Sequence, residues 1–165
     1  MQTDVAIIGA GPAGLFAAFQ CGMLGLQCHV FDALPEIGGQ CTALYPEKPI
    51  YDIPALPKIT AGDLIANLEI QAGAFAPVYH LGSAVTDLSK EDRRFFVRNA
   101  AGIAVECGAV IIAGGAGAFG PNRPPLEGIE AFEGKSVFYM VRRRDDFPGK
   151  RAVIAGGGDT AVYLA

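Results

Sequence analysis

The sequence predicts an α/β fold made of two strand-turn-helix units with an antiparallel insert between them. Three observations lead there. A glycine turn, G-A-G-P-A-G at Gly9 to Gly14, follows a short apolar run, and a second turn of the same design, G-G-G-D-T-A at Gly156 to Ala161, follows another. Between them lie several short β-type segments separated by turn residues. A buried strand is a short run rich in β-branched residues, and a helix opened by a glycine turn is the mark of a parallel α/β unit.

Taken in order, Thr3 to Ile8 reads as the first buried strand. Pro12 falls where the first turn of a helix tolerates it, and Leu15, Phe16, Ala18, Phe19 and Met23 supply an apolar face up to Gly22 or Gly25. Gln27 to Phe31 reads as the next strand, closed by Asp32. In this pattern Gly9 permits the turn, Gly11 lets backbone approach a diphosphate, and Gly14 lets helix and strand pack closely. Gly9, Gly11, Pro12, Ala13 and Gly14 are therefore the candidate diphosphate contacts. The free N–H groups and dipole of the helix start suit an anion, and Asp32 can accept hydrogen bonds from a ribose. The unit is Rossmann-like, and the alternative for the glycines is a purely structural turn.

From Ala33 to Pro54 the chain is punctuated by proline and glycine and too irregular for a long element. Gly39 permits close backbone approach, while Gln40 and Tyr45 offer an amide and an aromatic face, so this loop could run under a flat heteroaromatic ligand or be a plain connector. Thr60 to Phe75 reads as a helix with a capping-box-like start at Thr60 and Asp63, its apolar face formed by Leu64, Ile65, Leu68, Ala72 and Phe75. Strands are expected near Val78 to Leu88, Arg94 to Arg98, Ile103 to Cys107 and Ala109 to Ala113, with a hairpin turn at Asn99 to Gly102. Together they form an antiparallel β-meander insert.

Gly114 to Pro125 has little to bury, and the domain boundary is placed there: 1–117 as the first domain and 118–165 as the start of a second. Ser136 to Val141 and Arg151 to Ala155 read as strands of that second Rossmann-like unit, the latter feeding into Gly156, Gly158 and Ala161. The sequence ends at Ala165, soon after the start of the helix begun at Asp159, so we expect a longer parent polypeptide.

Composition excludes several classes of function. The chain has 165 residues, 51% of them hydrophobic and 18% charged, which is a globular composition able to bury a core. A net charge of −4 argues against nucleic acid as a partner. The uncharged stretch from Val5 to Phe31 is broken by Gly9, Gly11, Pro12 and Gly14 and is preceded by Asp4, so it reads as neither signal peptide nor membrane span. Cys21, Cys28, Cys41 and Cys107 form no C-x-x-C pair and no metal-ligand spacing. Reduced, packed thiols in a cytoplasmic protein are expected, with a redox role for Cys41 as the alternative. His29 and His80 read as packing residues. Arg142, Arg143 and Arg144 read as a solvated loop, or as a docking point for a phosphate or an acidic partner. No catalytic acid, base or nucleophile stands out.

The N-terminal D-V-A-I-I-G-A-G-P-A-G, the loop G-G-Q-C-T-A-L-Y-P-E-K-P-I-Y-D-I-P, the linker A-G-A-F-G-P and the turn I-A-G-G-G-D-T-A together resemble the thioredoxin-reductase-like ferredoxin-NADP reductases of bacteria. The loop is the most specific of the four, and the resemblance spans essentially the whole chain. It implies a homodimeric flavoprotein with FAD in the first domain and NADP in the second, moving electrons between NADPH and ferredoxin or flavodoxin. FAD would contact Gly9, Gly11, Gly14, Asp32, Gly39, Gln40 and Tyr45, with Tyr45 stacked on the flavin and Val85 and Phe119 nearby. Gly156, Gly158, Asp159 and Thr160 would begin the NADP site. Asp32 stands where the family often has Glu, which keeps the acceptor with a shorter reach, and the C-terminal segment that completes the flavin pocket in the family is missing. Two other readings stay open: a related reductase of a small thiol or quinone, and a nucleotide-binding module without catalysis.

Overall fold

The computed structural model describes residues 1–117, 123–139, 141 and 146–156. Strand β1 (Gln2–Ile8) leads through the glycine turn into α1 (Pro12–Met23), which returns to β2 (Cys28–Phe31). The long loop that follows holds one turn of helix, α2 (Gln40–Ala43), and a two-residue ladder between β3 (Pro49–Ile50) and β4 (Ile59–Thr60). Helix α3 (Ala61–Gly73) comes next, then β5 (Val78–His80), β6 (Val85–Glu91), β7 (Arg94–Asn99) and β8 (Ala104–Ile112).

Six of these strands form one sheet in the order β5-β2-β1-β8-β7-β6. β5, β2, β1 and β8 are parallel neighbours, whereas β8, β7 and β6 are antiparallel. The meander is therefore continuous with the parallel sheet, and β8 joins the two. Its residues Ala104–Cys107 pair with β7, and Glu106–Ile112 pair with β1. Two strands are expected from the sequence, broken at Gly108, but one strand runs through. Its backbone groups find partners on β7 first and on β1 afterwards, so no interruption of the ladder is needed at the glycine. The opposite correction applies upstream, where the segment expected from Val78 to Leu88 is divided by a loop into β5 and β6.

The apolar run of β1 follows from burial on both faces. Val5 and Ile7 pack with Ala10, Ala18, Cys21, Val30 and Ala72 on the helical side. Ala6 packs with Phe31, Val97, Val105 and Cys107 on the side covered by the meander. Helix α1 buries Gly14, Leu15, Ala18 and Cys21, a stripe offset from the expected face, since Phe16 and Met23 lie in the solvent. Small residues win this contact because α3 lies close against α1 and bulky side chains are turned out to its edges. Helix α3 begins as expected: Thr60 accepts a hydrogen bond from the Asp63 N–H at 3.1 Å and donates to the Asp63 carboxylate at 2.6 Å. The hairpin turn also forms, closed by Gly102 N–H to the Asn99 carbonyl at 3.0 Å and by Ile103 N–H to Asn99 Oδ1 at 2.9 Å.

Beyond the sheet, Ile129–Phe132 forms one turn of 3₁₀ helix, and Glu133 accepts from both Arg123 and Tyr139. The strands expected at Ser136 to Val141 and Arg151 to Ala155 do not appear among the described residues, apart from a single bridge between Glu133 and Val137. An extended segment becomes a parallel strand only when a neighbouring strand accepts its backbone groups, and none lies beside either segment among the described residues.

Candidate functional site

The chain leaves the sheet at Gly9, between two parallel neighbours. Gly9 N–H donates to the Phe31 carbonyl at the end of β2, and Ala113 N–H, just past β8, donates to the Ile8 carbonyl, both at 2.7 Å. Gly9 has φ +109, and a Cβ there would be driven into the Ala113 carbonyl. A Cβ at Gly14 would strike the Gly9 carbonyl oxygen, because the first turn of α1 packs directly on the end of β1. Both glycines are thus required by the protein itself.

Gly11 differs from both. It is the N-cap of α1 with ordinary φ and ψ of −73 and −176, and a Cβ built on it meets no protein atom within 4 Å. The fold has no need of glycine here. What its missing side chain leaves open is the wall of a cavity of about 380 Å³. No side chain caps the N-terminus of α1, so the positive end of the helix and its unpaired first-turn amides are presented beside this space. An anion bound there would be held by backbone alone.

The cavity is lined by Gly9, Gly11, Pro12, Ala13, Asp32, Gly39, Gln40 and Val85 among the residues expected from the sequence. Gly14 and Tyr45 are not part of its wall. Gly14 acts through packing, and Tyr45 is held one step away, its hydroxyl donating to Gln40 Oε1 at 3.1 Å and the Lys48 ammonium lying 5.4 Å from its ring centre. Burial raises the Tyr45 phenol, with a smaller contribution from Cys41. Phe119, Gly158, Asp159 and Thr160 lie outside the described residues, as do Arg142, Arg143 and Arg144, and Gly156 is described with φ +145. Sequence reading missed Ala33, Leu34, Ala84 and the stretch Ala113 to Gly117, which also line the cavity. A signal for that stretch was present, since ligands of parallel sheets bind at the carboxyl ends of the strands and β8 ends there beside β1.

Asp32 occupies the floor. Its Oδ2 accepts the Ala10 N–H at 2.6 Å and its Oδ1 accepts the Leu34 N–H at 2.9 Å. The loop after β2 is drawn onto the turn by a further bond, Gly38 N–H to the Ala10 carbonyl at 2.8 Å, and Gly39, with φ +58, faces Gly11.

Cys41 reaches the cavity, but burial raises its thiol above the usual range. An activated thiolate needs the opposite shift. Cys21, Cys28 and Cys107 are buried free thiols, with Cys28 pushed up to about 11 by burial and by the adjacent Cys21. Among the described residues no group of three or more potential ligands could hold a metal ion, and no helix is long and apolar enough to cross a membrane.

His29 and His80 do more than fill space. On adjacent strands β2 and β5, His29 Nδ1 and His80 Nε2 share a hydrogen bond of 2.9 Å, and the His80 ring stacks on Phe31 at 4.6 Å. Burial holds both imidazoles below the ordinary histidine range, and His80 and the N-terminal ammonium add to the effect on His29. The native pair is neutral where the unfolded chain, with histidines near about 6.5, already takes up protons. The unfolded state therefore binds more protons below that pH, so stability is full above about 6.5 and declines as pH falls further. Thermal melting should show a drop in Tm from pH 6.5 toward pH 5 that is reduced in His80→Gln. An equal slope in both proteins would refute the assignment.

Comparison with known proteins agrees with this architecture. The family model of the pyridine nucleotide-disulphide oxidoreductases matches residues 3–165. The chain is 61% identical over 164 residues to a ferredoxin–NADP reductase of Rickettsia akari, covering 99% of this chain and 49% of that protein. It is 59% identical over 165 residues to one of Paramagnetospirillum magneticum, again covering 99% and 49%. The chain thus spans about half the length of these relatives. A thioredoxin reductase from Streptococcus pyogenes shares the fold at TM-score 0.61, with 21% identity over 82% of this chain and 41% of that one. The glycine turn at the end of β1, the acid at the end of β2 and the match across almost the whole length agree: the chain belongs to the pyridine nucleotide-disulphide oxidoreductase family.

Proposed function

We propose that the protein is an FAD-dependent oxidoreductase that transfers electrons between NADPH and ferredoxin or flavodoxin, a ferredoxin-NADP reductase. The observation that carries the cofactor reading is Gly11, whose missing side chain serves no protein contact and widens the cavity beside the start of α1. A diphosphate fits such a backbone-lined place. The names of the relatives support the electron partners.

In this reading residues 1–117 form the FAD-binding domain and residues 118–165 begin the NADP-binding domain. The Gly9 to Gly14 turn and the first-turn amides of α1 hold the diphosphate, with Pro12 and Ala13 at its side. Asp32 accepts from the ribose, and Val85 borders the same cavity. Gly39, Gln40 and Tyr45 serve the flavin end, the hydrogen bond from Tyr45 to Gln40 fixing the aromatic ring, and Phe119 is assigned to the same cofactor. Gly156, Gly158, Asp159 and Thr160 begin the NADP site. When bound, FAD supplies hydride acceptance and one-electron release. The protein orients the nucleotides and excludes water. A homodimer in the cytoplasm completes the proposal.

The test is direct. The purified protein should carry flavin absorbance and reduce ferredoxin or flavodoxin with NADPH faster than with NADH. Turnover confined to disulfides or quinones would replace this reading with a thiol or quinone reductase. A bound nucleotide without turnover would leave a binding module.

A further inference from the structure

The carboxylate of Asp32 is already engaged before any ribose arrives. Ala10 N–H and Leu34 N–H donate to its two oxygens, at 2.6 and 2.9 Å. Its own backbone is fixed as well: Asp32 N–H donates to the His80 carbonyl at 3.0 Å, and the Asp32 carbonyl accepts from Ser83 N–H at 3.1 Å. Ala10 is fully buried and lies between the two glycines that bracket the turn. Its N–H points at Asp32, so that amide is not offered to a diphosphate.

We infer that Asp32 is a positioning residue for the diphosphate site, holding the Gly9 to Gly11 turn in its binding conformation by clamping the Ala10 amide, in addition to any contact with ribose. The inference rests on the FAD reading of the cavity. Two N–H donors converge on one side chain, one on each carboxyl oxygen, so a single residue ties the glycine turn to the loop after β2. The bond to Ala10 is the shorter of the two, at 2.6 Å. Without the clamp, a turn containing two glycines samples other conformations, and the ligand must select one of them. Affinity then falls even where the ligand has no hydroxyl for Asp32 to hold.

Two measurements on the purified protein decide this. In the absence of FAD, the Ala10 amide should exchange with solvent at least tenfold faster in Asp32→Ala, which leaves it no side-chain acceptor, than in the unsubstituted protein, with the Val30 amide in the core unchanged. A scalar coupling across the hydrogen bond between the Ala10 nitrogen and the Asp32 carboxyl carbon should be visible in the unsubstituted protein, which keeps the test valid should the variant fold poorly. Binding is then compared for FAD and for its 2′,3′-dideoxyadenosine analogue. Asp32→Ala should weaken both by tenfold or more. If Asp32 acted through ribose alone, the variant would bind the analogue as tightly as the unsubstituted protein does. That result, an unchanged Ala10 exchange rate, or a missing coupling overturns the clamp. Failure of the unsubstituted protein to bind either compound would instead refute the FAD reading, and the exchange data would still decide whether the clamp exists.

Discussion

Gly14→Ala should lower the melting temperature by roughly 10 °C, because the added methyl group has nowhere to go. It would be driven into the carbonyl oxygen of Gly9, with the Ile7 side chain 3.5 Å away on the same side. The obstacle is backbone. Gly9 is itself held by the Phe31 carbonyl, and Ala10 by Asp32 and Gly38, so neither can retreat without breaking those bonds. Overpacking usually costs about 1–3 kcal/mol, and a rigid obstacle places this case at about 3 kcal/mol. For a chain of this size each kcal/mol corresponds to about 2–4 °C. Gly73→Ala is the control, since a Cβ there meets nothing within 4 Å on α3 and alanine favours helix by about 1 kcal/mol. Thermal melts followed by circular dichroism compare the two, and a Gly14→Ala protein as stable as the unsubstituted one would mean that helix and strand are not packed as described.

Gly11→Ala should do the reverse: fold normally and lose the cofactor. Its backbone conformation is one that any residue adopts, and its Cβ would stand in open cavity. Melting without ligand should stay within about 4 °C, since replacing an N-cap glycine by alanine costs a few tenths to about 1 kcal/mol. FAD affinity should fall at least tenfold, a loss of about 1.4 kcal/mol or more, because the methyl group occupies the space through which the diphosphate approaches the helix start. Gly11→Val should lose more. Flavin fluorescence titration gives the affinity, and unchanged binding in both variants would mean that the diphosphate lies elsewhere. Taken with Gly14, the pair separates two reasons for glycine that a motif cannot distinguish.

Much of the site was legible because its chemistry is local. An apolar run buried on both faces, a turn that demands glycine, and an acid at the end of the next strand all lie within the first 32 residues. Other features were not legible, for equally physical reasons. The hydrogen bond between His29 and His80 joins residues 51 apart, and each histidine alone looks like packing. The exposed Phe16 and Met23 misled the reading of α1, because a helix pressed against another helix can bury glycine and alanine in preference to larger residues. Gly108 read as a break, yet β8 passes through it by exchanging one pairing partner for another.

The order of residues alone establishes the α/β class, the glycine turn between β1 and α1 with Asp32 at the end of β2, the capped start of α3 and the Asn99 to Gly102 hairpin, since each depends on backbone freedom and periodicity within a few positions. The folded arrangement was needed to show that the meander continues the parallel sheet, that Gly11 is free of protein contacts while Gly9 and Gly14 are not, and that Asp32 grips the turn from the neighbouring strand. Those facts depend on which distant segments come within a few ångströms of one another, and proximity of that kind arises only when the strands align and the core closes around them.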